Sequence, residues 1–261
     1  MLLAIDVGNT NTVIGCFRGE TLLGSFRIQS ASAYTTDEAG ILCMQLIKHH
    51  VPTADRVEGV ALCSVVPALT AVYENMARYY FDSDPLTLSC DFDLGLKLAH
   101  REPRQVGNDR LANAMAVGVH YRLPAVVVDF GTATTFDVID RAGTYLGGAI
   151  APGVITSSAE LFRRAAQLFK VRIEQPSRLI AEDTATAMQA GIFYGTVGQV
   201  ERILTGIERE LGDKPMVIAT GGLAELWRKG IPGIDVVDLN LTLKGLRIFY
   251  DRCGPASKGA G

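Results

Sequence analysis

The sequence predicts an α/β protein made of two related halves, and three observations carry that expectation. Apolar runs of β character alternate with stretches whose apolar residues recur at helical spacing. The chain opens with three short β-type segments joined by turns, which reads as an antiparallel meander. An Asp-x-Gly turn between two apolar runs occurs twice, as Asp6-Val7-Gly8-Asn9-Thr10-Asn11-Thr12 and as Asp129-Phe130-Gly131-Thr132-Ala133-Thr134-Thr135, sharing Asp, Gly and the final Thr. A repeat of this kind is weighed before any other fold assignment, because missing it miscalls the architecture. It divides the chain into residues 1–122 and 123–261.

Within the first half, "LLAIDV", "TVIGCF" and "ETLLGSFRI" are the three meander strands. From Thr36 to His50 the period changes to helical, with Thr36 or Asp37 as cap and acidic residues in the first turn. "VEGVALCSVVP" reads as a buried strand stopped at Pro67, and "ALTAVYENMARYYF" and "DRLANAMAVGVHYR" as helices. After Pro124 the pattern restarts with "AVVVDFGTATTFDVID", followed by a turn and third strand in "RAGTYLGGAIAPG". Helices are expected over residues 154–169 and 183–212, then a strand and helix in "KPMVIATGGLAELWRKG" and a closing helix in "LTLKGLRIFYDR". The paired Gly221 and Gly222 after "MVIAT" would present N–H groups to a phosphate or nucleoside, or would simply make a tight strand-to-helix turn. The terminal "GPASKGAG" is small and polar and is expected to fray.

Composition narrows the class of function. With 48% apolar and 20% charged residues the chain is of ordinary globular type, and a net charge of −3 offers no polyanion-binding surface. Nucleic acid is therefore not an expected partner. No basic segment leads into a signal-type apolar run and no apolar stretch approaches bilayer-spanning length, so no membrane association and a cytoplasmic location are expected. Cys16, Cys43, Cys63, Cys90 and Cys253 lack Cys-x-x-Cys spacing and read as buried thiols, not as a disulfide framework or zinc site. His49 and His50 close a helical run, where imidazoles meet the negative end of the helix dipole, a role preferred over metal binding.

The first turn carries the chemistry. Gly8 lets the main chain approach a ligand closely, and Asn9, Thr10, Asn11 and Thr12 set neutral donors beside exposed N–H groups, as a chain of phosphate oxygens requires. A carboxylate among phosphates is repulsive without a cation between them, so Asp6 reads as a ligand to Mg²⁺ or its waters. The plain alternative is a hairpin loop whose Asn and Thr satisfy turn backbone. The second Asp-x-Gly turn favours the ligand reading.

Two such hairpins facing across a cleft resemble the duplicated actin-like ATPase (ribonuclease H-like) fold, in which two related halves grip a nucleotide. Within it, "DVGNTNTVIG", "SVVP", "VGNDRLANA", "VVDFGTATTFDVID", "YLGGAIAPG" and "TATAMQAGIFYG" are together similar to type III pantothenate kinase over essentially the whole chain. The resemblance implies ATP-dependent phosphorylation of pantothenate, with Asp6 to Val13 as the ATP and Mg²⁺ loop. It makes Asp109 of Gly107-Asn108-Asp109-Arg110 the proton acceptor, and that segment the substrate site. Read on their own, Asp109 and Arg110 would cap the "LANAMAV" helix. The resemblance further makes Asp129 a ligand of a monovalent cation, K⁺ or NH₄⁺, Thr132 an ATP contact and Thr184 a substrate contact. Thr184 alone would read equally as an N-cap. A homodimer is implied as well. One departure is visible: the family's Tyr-x-Asn-Pro is here His100-Arg101-Glu102-Pro103, so His100 stands at a substrate-contacting position with a different side chain. The remaining alternatives are a related small-molecule kinase of the same superfamily and a non-catalytic regulator on an ATPase scaffold.

Overall fold

In a computed structural model describing residues 1–31, 33–54, 56–165 and 168–255, the expected meander is β1 (Leu2–Val7), β2 (Asn11–Arg18) and β3 (Thr21–Gln29). Then come α1 (Thr36–His50), β4 (Gly59–Ser64), α2 (Pro67–Phe81), the short β5 (Leu86–Thr87) and β6 (Lys97–Leu98), and α3 (Asn108–His120). The first sheet has the order β3-β2-β1-β4-β5. Its central strand β1 pairs antiparallel with β2 and parallel with β4.

Alternation along β1 and β4 decides what each face of this sheet holds. Leu3, Ile5 and Val7, with Val60 and Leu62, join a core completed by Cys43 and Ile47 of α1 and Leu69, Tyr73 and Met76 of α2. The intervening residues, Ala4, Asp6, Ala61 and Cys63, are on the opposite face. The cap of α1 is Thr35, one residue before the expected Thr36 or Asp37. Thr35 Oγ1 accepts from Glu38 N at 3.2 Å while Thr35 N donates to Glu38 Oε2 at 2.9 Å, a reciprocal pair that needs Thr and Glu three apart.

The second unit repeats the plan. It comprises β7 (Ala125–Phe130), β8 (Ala133–Ile139), β9 (Thr144–Pro152), α4 (Val154–Arg164), α5 (Thr184–Leu211), β10 (Met216–Thr220), α6 (Ala224–Gly230) and β11 (Val236–Val237). These strands run in the order β11-β10-β7-β8-β9. Like β1, β7 pairs antiparallel with the next strand and parallel with a later one, β10. Val126, Val128 and Phe130 pack with Phe193 and Trp227. The helix expected over 154–169 ends at Arg164, and residues 166 and 167 of that span lie outside the described residues. Tyr121 Oη donates to Asp238 Oδ2 at 2.7 Å, tying the beginning of this unit to its end.

The closing helix α7 (Leu241–Cys253) belongs to the first unit. The compact units are Met1–His120 with the residues from Asn240 onward, and Tyr121–Leu239, whereas sequence order assigns everything after residue 122 to the second half. The reason is the fit of α7 on α3. Gly245 lies so close to Ala112 that a Cβ there would fall within 2.9 Å of the Ala112 backbone, and Thr242 Oγ1 donates to Asn113 Oδ1 at 2.8 Å. The buried Arg247 is paired with Asp251 at 2.5 Å. Of the expected frayed tail, residues 256–261 lie outside the described residues.

Candidate active site

The first Asp-x-Gly segment is a tight hairpin, with only Gly8, Asn9 and Thr10 between β1 and β2. Asp6 is paired with Val13 and Val7 with Thr12, and Gly8 N donates to Asn11 O at 3.1 Å. Asn9 and Thr10 are exposed, Asp6, Gly8, Asn11 and Val13 half-buried, and Val7 and Thr12 buried. The Thr12 hydroxyl faces inward, 3.0 Å from Ser30 Oγ. Thr12, one of the polar residues read as phosphate donors, thus has its side chain committed to the fold.

The second hairpin is one residue shorter. Gly131 and Thr132 alone separate β7 from β8, and Gly131 N donates to Ala133 O at 3.1 Å. Asp129 pairs with Thr135 and Phe130 with Thr134. Thr134, not Thr135, is therefore the structural counterpart of Thr12, and both are buried. Thr132 is exposed and its carbonyl accepts from Thr156 Oγ1 at 2.9 Å. Gly221, with φ +89, sits against this turn: a Cβ on it would lie 2.5 Å from Asp129 Oδ1 and 2.7 Å from Phe130 N. Gly221, after β10, thus makes room for Asp129.

Asp109 opens α3. Its Oδ1 accepts from Arg110 N at 2.8 Å and folds back over Gly107, where a Cβ would come within 2.5 Å of that oxygen. A side chain at residue 107 would displace this carboxylate, which suits the Gly-x-Asp spacing. Burial pushes the Asp109 carboxyl above its ordinary value, opposed by the Arg110 amide and charge. Asn108 and Ser64, with Thr70, Glu74 and Thr87, line a cleft of about 500 Å³ at the carboxyl ends of β4 and β5. Cys63, fully buried, is the register partner of Asp6. Burial above all, then the Asp6 and Asp109 carboxylates, pushes its thiol far up. Asp6 and Asp109 thus both lie within electrostatic reach of Cys63, which the sequence reading left as a buried thiol. Strand pairing alone could have found it.

His100 turns onto its own loop, with Nδ1 2.9 Å from Glu102 O and 3.2 Å from Glu102 N. Thr184 is the first residue of α5 and exposed, but it is not the cap. Asp183 is, its Oδ1 accepting from Thr186 N at 2.9 Å, which leaves capping out of the role of Thr184. Of the five cysteines, Cys16, Cys43 and Cys63 are buried and Cys90 and Cys253 partly so. The imidazoles of His49 and His50 meet edge to face, and His50 stacks on Phe26 at 5.7 Å. Among the described residues no helix is long and apolar enough to cross a membrane.

Two duplicated β-meander units, each with an acidic hairpin, define the actin-like ATPase fold. A solved Sinorhizobium meliloti chain named for 2-dehydro-3-deoxygalactonokinase shares this fold with a TM-score of 0.55 at 15% identity, over 98% of this chain and 97% of its own. A Campylobacter jejuni chain named for a Baf family of transcriptional activators does so with a TM-score of 0.61 at 18% identity, over 96% and 98%. At such identities the likeness speaks for the fold alone. The sequence speaks for the family. The family model for type III pantothenate kinase matches residues 2–206. A type III pantothenate kinase of Geobacter sulfurreducens is 47% identical over 97% of this chain and 99% of its own length. The chain belongs to the type III pantothenate kinase family.

Proposed function

We infer that the chain transfers the γ-phosphoryl group of ATP to the primary hydroxyl of pantothenate, giving ADP and 4′-phosphopantothenate, the first step of coenzyme A synthesis. The observation that carries this reading is the Asp109 carboxylate, held over Gly107 at the start of α3, whose Asn108 shares a cleft wall with Ser64 at the end of β4. As the hydroxyl oxygen attacks the γ-phosphorus and the bond to ADP breaks, Asp109 takes the hydroxyl proton. Arg110 is suited to the pantothenate carboxylate, since its guanidinium matches that group in a forked geometry. Gly107, Asn108, His100 and Thr184 complete the substrate contacts, and Asp6 to Val13 with Thr132 the nucleotide contacts.

Among the described residues no group of three or more His, Cys, Asp or Glu is placed to hold a metal. That suits Mg²⁺, which is commonly held by one or two carboxylates, waters and substrate phosphates. Asp6 would hold it, and the ion would neutralise charge on the phosphate oxygens. Asp129, half-buried and hemmed in by Gly221, would take K⁺ or NH₄⁺. The homodimer reading is supported by large apolar side chains left exposed on α4 and α5, among them Ile155, Leu161 and Tyr194. A cytoplasmic site of action agrees with a substrate and cofactor of central metabolism. The test is ADP release over a panel of small hydroxy acids in K⁺ and in Na⁺ buffer. Turnover restricted to pantothenate is expected, and turnover with another acceptor in its place would overturn the assignment.

A further inference from the structure

Three chain segments converge on one side of the first sheet. Ala4, Asp6, Ala61 and Cys63 alternate with the residues that face α1 and α2, so they project to the face covered by α7, where Tyr250 lies against Gly59 of β4. Parallel pairing sets Asp6 directly beside Cys63, at the interstrand spacing of roughly 4.8 Å. The next residue of β4, Ser64, shares a cleft wall with Asn108, which brings the start of α3 to the same place. Asp109 follows Asn108. The fully buried Cys63 thus stands beside Asp6, which the proposed function gives to Mg²⁺, on the strand whose end meets the helix that opens with Asp109, which it gives to the hydroxyl proton.

The geometry points to Cys63 as a positioning residue: beside Asp6 in the parallel register and on the same face, its S–H is placed to donate to the Asp6 carboxylate and aim it at the metal. This rests on the reading of Asp6 as the Mg²⁺ ligand. The physical need is plain. A ligating carboxylate is fixed by what bonds to it from behind, and losing such a partner commonly lowers metal affinity by roughly 10- to 100-fold. Without a donor at residue 63, Asp6 would be free to rotate away from a metal it shares with phosphates, and a carboxylate placed there instead would add a third negative charge. A thiol is small enough to be buried between strands and helix, stays uncharged in this setting, and has one proton to give.

The test uses Cys63→Ser, which keeps a donor, with Cys63→Ala and Cys63→Val, which do not. Two quantities are read on the intact protein: the calorimetric affinity for ATP with and without Mg²⁺, and the Mg²⁺ concentration that half-saturates turnover. Cys63→Ala and Cys63→Val should weaken Mg²⁺-dependent ATP binding and raise the Mg²⁺ midpoint by about 10-fold, leaving metal-free ATP binding unchanged. Cys63→Ser should recover both to within about 3-fold. A packing role alone would not separate metal-loaded from metal-free binding, nor be repaired by serine. Wild-type Mg²⁺ dependence in Cys63→Ala overturns the proposal, as does a Cys63→Ser variant as impaired as Cys63→Ala. Should Cys63→Val fail to fold, the alanine and serine pair decides. Asp6→Asn in the same assays separates the two readings. If it weakens Mg²⁺-dependent binding while Cys63→Ala does not, only the proposal falls; if Asp6→Asn is without effect, the metal reading of Asp6 fails and takes the proposal with it.

Discussion

Asp109 Oδ1 occupies the space that a side chain on Gly107 would need, 2.5 Å from where its Cβ would stand. The glycine of the Gly-x-Asp-Arg motif is therefore a steric requirement of the carboxylate two residues later. Gly107→Ala should push Asp109 off its bond with the Arg110 amide and lower kcat by about 10²-fold, the usual effect of misplacing a reacting group by an ångström. Far-UV circular dichroism should be unaltered. Normal turnover would show that the carboxylate tolerates displacement.

Asp109→Asn should keep ATP binding and lower kcat by ~10²–10⁴, the span of a positioned general base. It should also stabilise the protein at neutral pH. Burial raises the folded-state pKa of Asp109 above its ordinary 3.8. The wild type is therefore penalised for ionising this group, and the penalty grows as pH rises through the raised value. The gain in Tm should be clear at pH 7 and vanish as pH falls below about 4, the ordinary carboxylate range. A variant melting at or below wild type at pH 7 would refute the burial cost.

For Asp129, replacing K⁺ by Na⁺ at fixed ionic strength should cut wild-type initial rates strongly, because in the proposed nucleotide site a half-buried carboxylate needs a fitting counter-ion. Asp129→Asn should lower the rate and flatten the K⁺ response. An undiminished K⁺ response in that variant would move the cation elsewhere.

Gly245→Ala would drive a methyl into the Ala112 backbone, which no rotamer can relieve. The cost should reach about 3 kcal/mol, the upper end of ordinary overpacking. The protein's single tryptophan, Trp227, lies in the second unit and reports on it alone. In urea, the circular dichroism transition should move to lower concentration while the Trp227 emission change lags behind. Unchanged transitions by both probes would mean that α3 and α7 can part without cost.

Nearly every element was legible because period and punctuation agree locally: α1 runs from Thr36 to His50 as its pattern requires. What escaped depends on pairing between distant segments. Aligning the two Asp-x-Gly turns without a gap equates Thr12 with Thr135, whereas strand register equates it with Thr134, since the second turn has lost a residue. The place of α7 was hidden because chain order says nothing about which helix a glycine fits. Cys63 carried no motif, and its relation to Asp6 exists only once β1 and β4 lie side by side. The roles of Asp109, Asp129 and Thr184 came from family resemblance; the residues alone spoke as well for caps and turns.

The return of α7 to the first unit has a consequence for synthesis on the ribosome. The second unit is one uninterrupted segment, fastened at its neck by Tyr121 and Asp238, and has all its parts once Leu239 has emerged. The first unit, which holds Asp6 and Asp109, has its strands made earliest but its sheet face only partly covered until Leu241–Cys253 arrives. Domains generally fold as units during translation, at about 5–20 residues per second. The half begun first is thus the half finished last, completed only by the final described helix.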